Sequence, residues 1–269
     1  GLNPARKVKN VMIIGGGVAG LVAARVAAIR GHKVSLFEKG ERLGGNVIPG
    51  GAPDFKEDDI ALANWYTNEL KDLNIDVHYN TEVTKEMVKD FNADEIIVAT
   101  GSKPRKLTIP GADRVYTAEE VLLGKKDAGS STIIIGGGLV GCETALWLVD
   151  QGKKVTIVEL QEDILKVGGP LCHANEDMLK DLVKFKKIDL KVNTSVASAS
   201  EGGFILKSGD KEEVITADSA IIAIGYTSEK SLYDEIKFEI PNVHLLGDAN
   251  QVSNIMYAIW NAYEVARNI

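Results

Sequence analysis

The chain is poor in cysteine: Cys142 and Cys172 are the only two among 269 residues. That excludes a disulfide framework, a Cys-x-x-Cys redox pair and a tetrahedral cysteine metal site, and no metal ligation is expected. Such usage fits a reducing cytoplasm. Aromatic residues make up only 6% of the chain. No apolar run approaches the roughly 18 residues of a membrane span, and no signal peptide is visible. Basic residues are in deficit, with a net charge of −7. That argues against a sequence-independent grip on nucleic acid or on an anionic membrane. An initiating methionine is lacking too: the chain opens with Gly1 and a polar leader, residues 1–9. An excised piece of something longer is the expectation, although a processed N-terminus would look the same.

Glycine, by contrast, is plentiful, with 27 residues, and its placement is repetitive. Residues 10–38 read NVMIIGGGVAGLVAARVAAIRGHKVSLFE; residues 132–159 read TIIIGGGLVGCETALWLVDQGKKVTIVE. An offset of 121 superposes Gly15 on Gly136, Gly17 on Gly138, Gly20 on Gly141 and Glu38 on Glu159. Each copy opens with an apolar run suited to a strand buried on both faces. Each passes through glycines into a helical pattern, ends that helix at a glycine and closes a second apolar strand on glutamate. This is a β-α-β unit, twice. Residues 96–101 (IIVATG) and 220–225 (AIIAIG) correspond at an offset of 124, so the two halves have nearly the same spacing. The fold class expected is α/β, with two Rossmann-like three-layer dinucleotide-binding domains.

Gly-x-Gly-x-x-Gly between strand and helix suits a pyrophosphate. The first glycine makes the turn, the second admits the phosphates, and the third lets helix and strand pack closely. The helix N-terminus offers free N–H groups and a positive dipole end. Alone the motif is also an ordinary glycine turn; the strand, the helix and the following acid make it specific. Glu38 and Glu159 stand where a carboxylate accepts from ribose hydroxyls and repels a 2′-phosphate. One such glutamate reads equally as a solvated strand end, but two at equivalent positions do not. After Glu159 come Leu160, Gln161, Glu162 and Asp163, two acids and no arginine. NADH is therefore expected over NADPH.

The copies diverge after the acid. The first continues Lys39-Gly40-Glu41-Arg42-Leu43-Gly44-Gly45, and near the end of the chain stands Val243-His244-Leu245-Leu246-Gly247-Asp248-Ala249. Both stretches resemble the FAD site of two-dinucleotide-domain flavoproteins. The resemblance implies that Arg42 and Gly45 lie along the FAD pyrophosphate and that Asp248 binds the ribityl chain; read alone, Gly247-Asp248 is an Asx turn. A helix over about residues 254–268, with Ser253 as its N-cap, would point its positive end at the flavin. The layout becomes an FAD domain in two segments, residues 1–104 and 225–269, with a nicotinamide domain, 105–224, inserted between them. Strands and turns over 192–216 read as a small β-meander. Two crossings, near 103–105 and 225–227, are expected to act as hinges.

The run GDANQVSNIMYAIWNAYEVARNI, the Asn3-Pro4 leader and Pro53-Asp54-Phe55 before an amphipathic helix resemble one group: 2,4-dienoyl-CoA reductases, 2-enoate reductases and trimethylamine dehydrogenase. In that group an N-terminal TIM barrel holds FMN and an iron–sulfur cluster. The resemblance implies FAD and NADH as cofactors, the barrel domain as partner, and electron flow from NADH through FAD toward an unsaturated substrate. It places Lys39, Val83, Ala99, Thr100, Gly101, Leu139, Val140, Glu143, Gly225, Gly247 and Ile255 among the cofactor-binding residues with those already named. Glu143 reads equally as a helix-start glutamate. No catalytic side chain is expected, because hydride passes between nicotinamide and flavin atoms. Two alternatives stay open: a nucleotide-binding scaffold holding only ADP, and a free-standing NADH reductase serving a separate carrier.

Overall fold

The computed structural model describes residues 2–168 and 171–269; Gly1, the first residue of the leader, lies outside them. The chain divides into two compact units. The first comprises Gly1–Gly51, Lys56–Lys103 and Thr227–Ile269, and the second Ala52–Phe55 and Pro104–Tyr226.

In chain order the first unit forms β1 (Asn10–Ile14), α1 (Val18–Ile29), β2 (Lys33–Phe37), α2 (Val47–Gly50), α3 (Glu57–Asp72), β3 (Asp76–His78), α4 (Lys85–Phe91) and β4 (Glu95–Val98). A short strand, β5 (Ser102–Pro104), begins the first crossing. The second unit follows with β6 (Val115–Thr117), α5 (Ala118–Leu122), β7 (Ser131–Ile135), α6 (Leu139–Asp150), β8 (Lys154–Val158), α7 (His173–Phe185) and β9 (Asp189–Lys191). Next come β10 (Ser195–Ser200), β11 (Gly203–Ser208), β12 (Lys211–Thr216) and β13 (Ser219–Ile222). After the return crossing at β14 (Tyr226–Ser228) the chain adds α8 (Ser231–Ile236), β15 (Val243–Leu245) and α9 (Ile255–Ala266).

The first unit is a parallel sheet of order β15-β4-β1-β2-β3, and the second a parallel sheet of order β6-β13-β7-β8-β9. Their inner strands are the apolar runs of the repeat: residues 11–14 and 132–135 are buried throughout, as strands covered on both faces must be. In the first unit α1 is apolar nearly all round, because α3 and α9 cover the sides that the sheet leaves open. Met12, Ile14, Phe37 and Val98 pack on the sheet's other face. The second unit repeats the plan, with α6 and α7 on one face. On the other face Phe204 and Leu206 belong to an antiparallel sheet of order β10-β11-β12, the expected meander.

One local expectation is corrected. The N-cap of α9 is Asn254, not Ser253: the Asn254 side chain accepts from the Tyr257 N–H at 2.8 Å. The Ser253 N–H instead donates to Asp248 Oδ1 at 3.2 Å.

Candidate functional site

In the first unit β1, β2, β4 and β15 run parallel, so Gly15, Glu38, Ala99 and Gly247 gather at the sheet's carboxyl edge. Ligands of open α/β sheets bind at that edge, where the strand order reverses, and here the reversal falls at β1. Gly15 has φ +106°, and a Cβ on it would overlap the Ala99 carbonyl. A Cβ on Gly20 would overlap the Gly15 carbonyl, so α1 and β1 touch through hydrogen atoms alone. Gly17 differs: the nearest atom to a Cβ there is Gly45 Cα at 3.9 Å, so the space in front of it is open. Gly17 is also the N-cap of α1, with no side-chain cap and no acid in the first turn. Helices α4, α5 and α9, by contrast, are capped by Thr84, Thr117 and Asn254. The leading N–H groups of α1 therefore face the open space in front of Gly17, a cradle that fits a pyrophosphate.

Glu38 closes this cradle. One carboxylate oxygen accepts from Gly16 N at 2.8 Å and the other from Gly40 N at 2.7 Å. Each oxygen keeps a further lone pair for a sugar hydroxyl. Gly44 N donates to Gly16 O at 2.8 Å, which brings the Gly44-Gly45 turn against Gly17. Lys39 and Arg42 are exposed on the loop between. Val83 is buried in the cluster that contains Phe37. Gly247, at φ +62°, packs on α1, where a Cβ would come within 2.6 Å of the Ala19 Cβ. Asp248 follows, with Oδ2 accepting from Ser102 Oγ at 3.0 Å; Ser102 Oγ in turn accepts from Asn46 Nδ2 at 3.1 Å. Thr100 Oγ1 donates to the Glu229 carbonyl, and Gly101 O accepts from Glu229 N. Ile255 opens α9, five residues after the Gly247–Ala249 turn ends at Asn250.

The second unit reproduces the cradle. Gly136 has φ +106° against the Ala223 carbonyl, and Gly141 closes on Gly136. Gly138 is the bare N-cap of α6, and the nearest atom to a Cβ there is Val167 O at 3.8 Å. Glu159 Oε2 accepts from Gly137 N at 2.7 Å and Oε1 from Gln161 N at 2.8 Å. Leu139 and Val140 form the first turn of α6, Glu143 is half-buried on the same helix, and Gly225 is exposed beyond β13.

Several of these residues escaped the sequence reading. Gly16 and Gly137 each give the N–H that holds a glutamate 22 positions on. The middle glycine of both Gly-Gly-Gly runs was the available signal. Ser102 and Asn46, which orient Asp248, carry no motif.

Both cysteines are free thiols. Cys142 is buried, its Sγ 3.4 Å from Gly137 O, and its thiol is pushed up to about 12 by burial and then by the charges of Glu143, Glu159 and Asp163. Cys172 is exposed ahead of α7. His32 is buried, its Nδ1 accepting from Lys9 N at 3.1 Å, and burial lowers its pKa. His78 stacks on Phe37, and His244 pairs with Glu95. Among the described residues no group of three or more His, Cys, Asp or Glu is arranged to hold a metal. No described helix is long and apolar enough to cross a membrane.

Two parallel sheets, each presenting a bare glycine-led helix and a backbone-held carboxylate at its carboxyl edge, define a double dinucleotide-binding protein. The chain belongs to the pyridine nucleotide-disulphide oxidoreductase family, whose model matches residues 9–268. The cofactors of that family are FAD and NAD(P)H. The chain is 62% identical over 269 residues to cinnamate reductase of Clostridium sporogenes, covering all of this chain and 40% of that protein. It is 33% identical over 274 residues to an NADH oxidase of Thermoanaerobacter brockii, covering 97% of this chain and 41% of that one. A solved 2-naphthoyl-CoA reductase complex superposes with a TM-score of 0.92 at 28% identity, over 100% of this chain and 41% of its own. The resemblance to the enoate-reductase group is thereby upheld, and the chain spans about two fifths of these relatives.

Proposed function

We propose that this chain is the FAD-dependent, NADH-oxidising electron-transfer module of a larger reductase. Its electrons pass to an FMN/iron–sulfur barrel domain and on to a carbon–carbon double bond conjugated with a carboxylate or thioester, as in cinnamate. The observation that carries the reading is the duplicated cradle: two bare-glycine helix starts, each facing a glutamate fixed by two backbone N–H groups. The names of the relatives support the substrate class, and the share of their length supports a further domain in the larger protein.

In this reading the FAD domain is residues 1–104 and 225–269, and the nicotinamide domain is 105–224. Gly17 and the first turn of α1 hold the FAD pyrophosphate with Arg42, Glu38 accepts from the adenosine ribose, and Asp248, oriented by Ser102, accepts from the ribityl chain. Gly138 and Glu159 do the same for NADH. The bound cofactors supply hydride and electron transfer, so the chain's own residues bind, orient and exclude rather than move protons. Reconstitution with FAD followed by desalting tests this. Wild type should stay yellow, and Gly17→Leu should lose the flavin because its side chain fills the open cradle. Wild type that is colourless after desalting overturns the reading in favour of an ADP-holding scaffold.

A further inference from the structure

The two cradles are built alike but are held open differently. At the offset of 121, Arg42 corresponds to Asp163, Leu43 to Ile164, Gly44 to Leu165 and Gly45 to Lys166. The two loops share one contact: Gly44 N donates to Gly16 O at 2.8 Å, and Leu165 N donates to Gly137 O at 2.8 Å. In the first unit the path is adopted by glycines, at φ +117° and +58°. In the second, Leu165 stands at φ +61°. A residue with a Cβ adopts that conformation at a cost and keeps it only where its surroundings fix it.

The surroundings are specific. Asp163 Oδ1 accepts from Ile164 N at 2.8 Å, and its Oδ2 accepts from Lys180 Nζ on α7 at 2.8 Å. Lys180 is held in turn by Glu176, 2.9 Å away and one turn earlier on that helix. Both acids are held below the usual carboxylate range, chiefly by the hydrogen bond from Lys180. Helix α7 is anchored through buried Leu179 and Val183, so Lys180 is a fixed post and not a swinging surface charge. Ile164 is buried where a Cβ on Gly137 would touch its Cγ2, at 2.6 Å. The loop thereby sets Val167 O beside Gly138 and borders the groove from which Glu159 projects.

We infer that Asp163 and Lys180 are positioning residues for the nicotinamide nucleotide: they tie the loop after β8 to α7 and hold the left-handed Leu165 turn that keeps the second cradle open. The inference rests on the reading of the second unit as the nucleotide domain. The role assigned to both side chains runs through their hydrogen bonds and not through a contact with the nucleotide. Each acts through the loop backbone, where the first unit has two glycines at positive φ.

Calorimetric titration of ADP-ribose into the FAD-loaded chain tests this, alongside NADH-driven dye reduction. Lys180→Met should weaken ADP-ribose binding about tenfold, equivalent to about 1.4 kcal/mol. The KM for NADH should rise in step while the saturated rate changes far less and FAD content stays at the wild-type level. Lys180→Arg keeps the charge and should restore affinity. Asp163→Asn keeps the Ile164 contact but weakens the ion pair, and should fall between. Unchanged ADP-ribose affinity in folded Lys180→Met or Asp163→Asn overturns the inference while leaving the nucleotide assignment intact. Wild type that binds no ADP-ribose overturns that assignment and the inference with it.

Discussion

At the scale of single residues, the proposed preference for NADH turns on Glu159. Its two oxygens are aimed by Gly137 N and Gln161 N, so the carboxylate cannot swing away from an incoming ribose. It has lone pairs left for the 2′-OH of NADH and nothing to offer the 2′-phosphate of NADPH. A hydrogen bond to a charged acceptor is worth about 1.5–3 kcal/mol, so NADH should be preferred roughly ten- to a hundredfold. Stopped-flow reduction of bound FAD by each nucleotide measures the preference, and Glu159→Ala should narrow it. Equal efficiency of NADPH with wild type would remove Glu159 from the ribose site. Gly15, Gly20 and their counterparts were legible because close backbone approach admits no other residue type, and Gly17 and Gly138 because the same spacing recurs in both copies. Ser102 and Leu165 were not: a serine in a crossing and a leucine in a loop fit many conformations. The left-handed backbone of Leu165 shows in the sequence only as the counterpart of Gly44.

At the scale of elements, the repeat made the strands and helices legible, since a βαβ unit forces its apolar strand, glycine turn and helix into one order. The cap of α9 was harder, because Ser253 and Asn254 are both cap formers. Backbone geometry decides it: Asn254 is extended, at φ −99° and ψ 171°, with its side chain over the first turn. The seam joining the first unit's segments was invisible, since it pairs residues far apart in sequence. Glu229 N donates to Gly101 O at 2.9 Å, while its carboxylate pairs with Lys103 and accepts from Ser231. Hydrogen bonds from Lys103 first, and then from Ser231, hold that carboxyl down from 4.5 to about 2. A depressed carboxylate stabilises the fold above its unfolded value and loses that contribution as pH falls through its folded value. Wild type should therefore lose stability as pH falls from 4.5 to about 2. Glu229→Gln should be less stable near neutrality and show a flatter acid limb in denaturant melts. Parallel acid limbs for the two proteins would mean the pair contributes nothing to the fold.

At the scale of the whole molecule, the proposed route from a nicotinamide nucleotide to an enoate needs an acceptor beyond the two nucleotide cradles. Iron–sulfur clusters are held by about four cysteine thiolates. This chain has two cysteines, Cys142 buried and Cys172 exposed. The relatives run to more than twice the length it covers, and two of them are named as reductases of conjugated acyl compounds. If the division of labour follows that division of length, the FAD-loaded chain should oxidise NADH with ferricyanide or another soluble one-electron dye. It should leave cinnamate untouched, because in the proposed route reduced flavin passes its electrons to a separate domain. The paired measurement is dye reduction against loss of the cinnamate absorbance, in the same anaerobic cuvette and with the same enzyme. Cinnamate reduction by this chain alone would place the enoate site inside these two units and remove the need for a barrel partner. Dye reduction without cinnamate turnover, together with turnover when the segment stands within a full-length reductase, would locate the double-bond chemistry outside it.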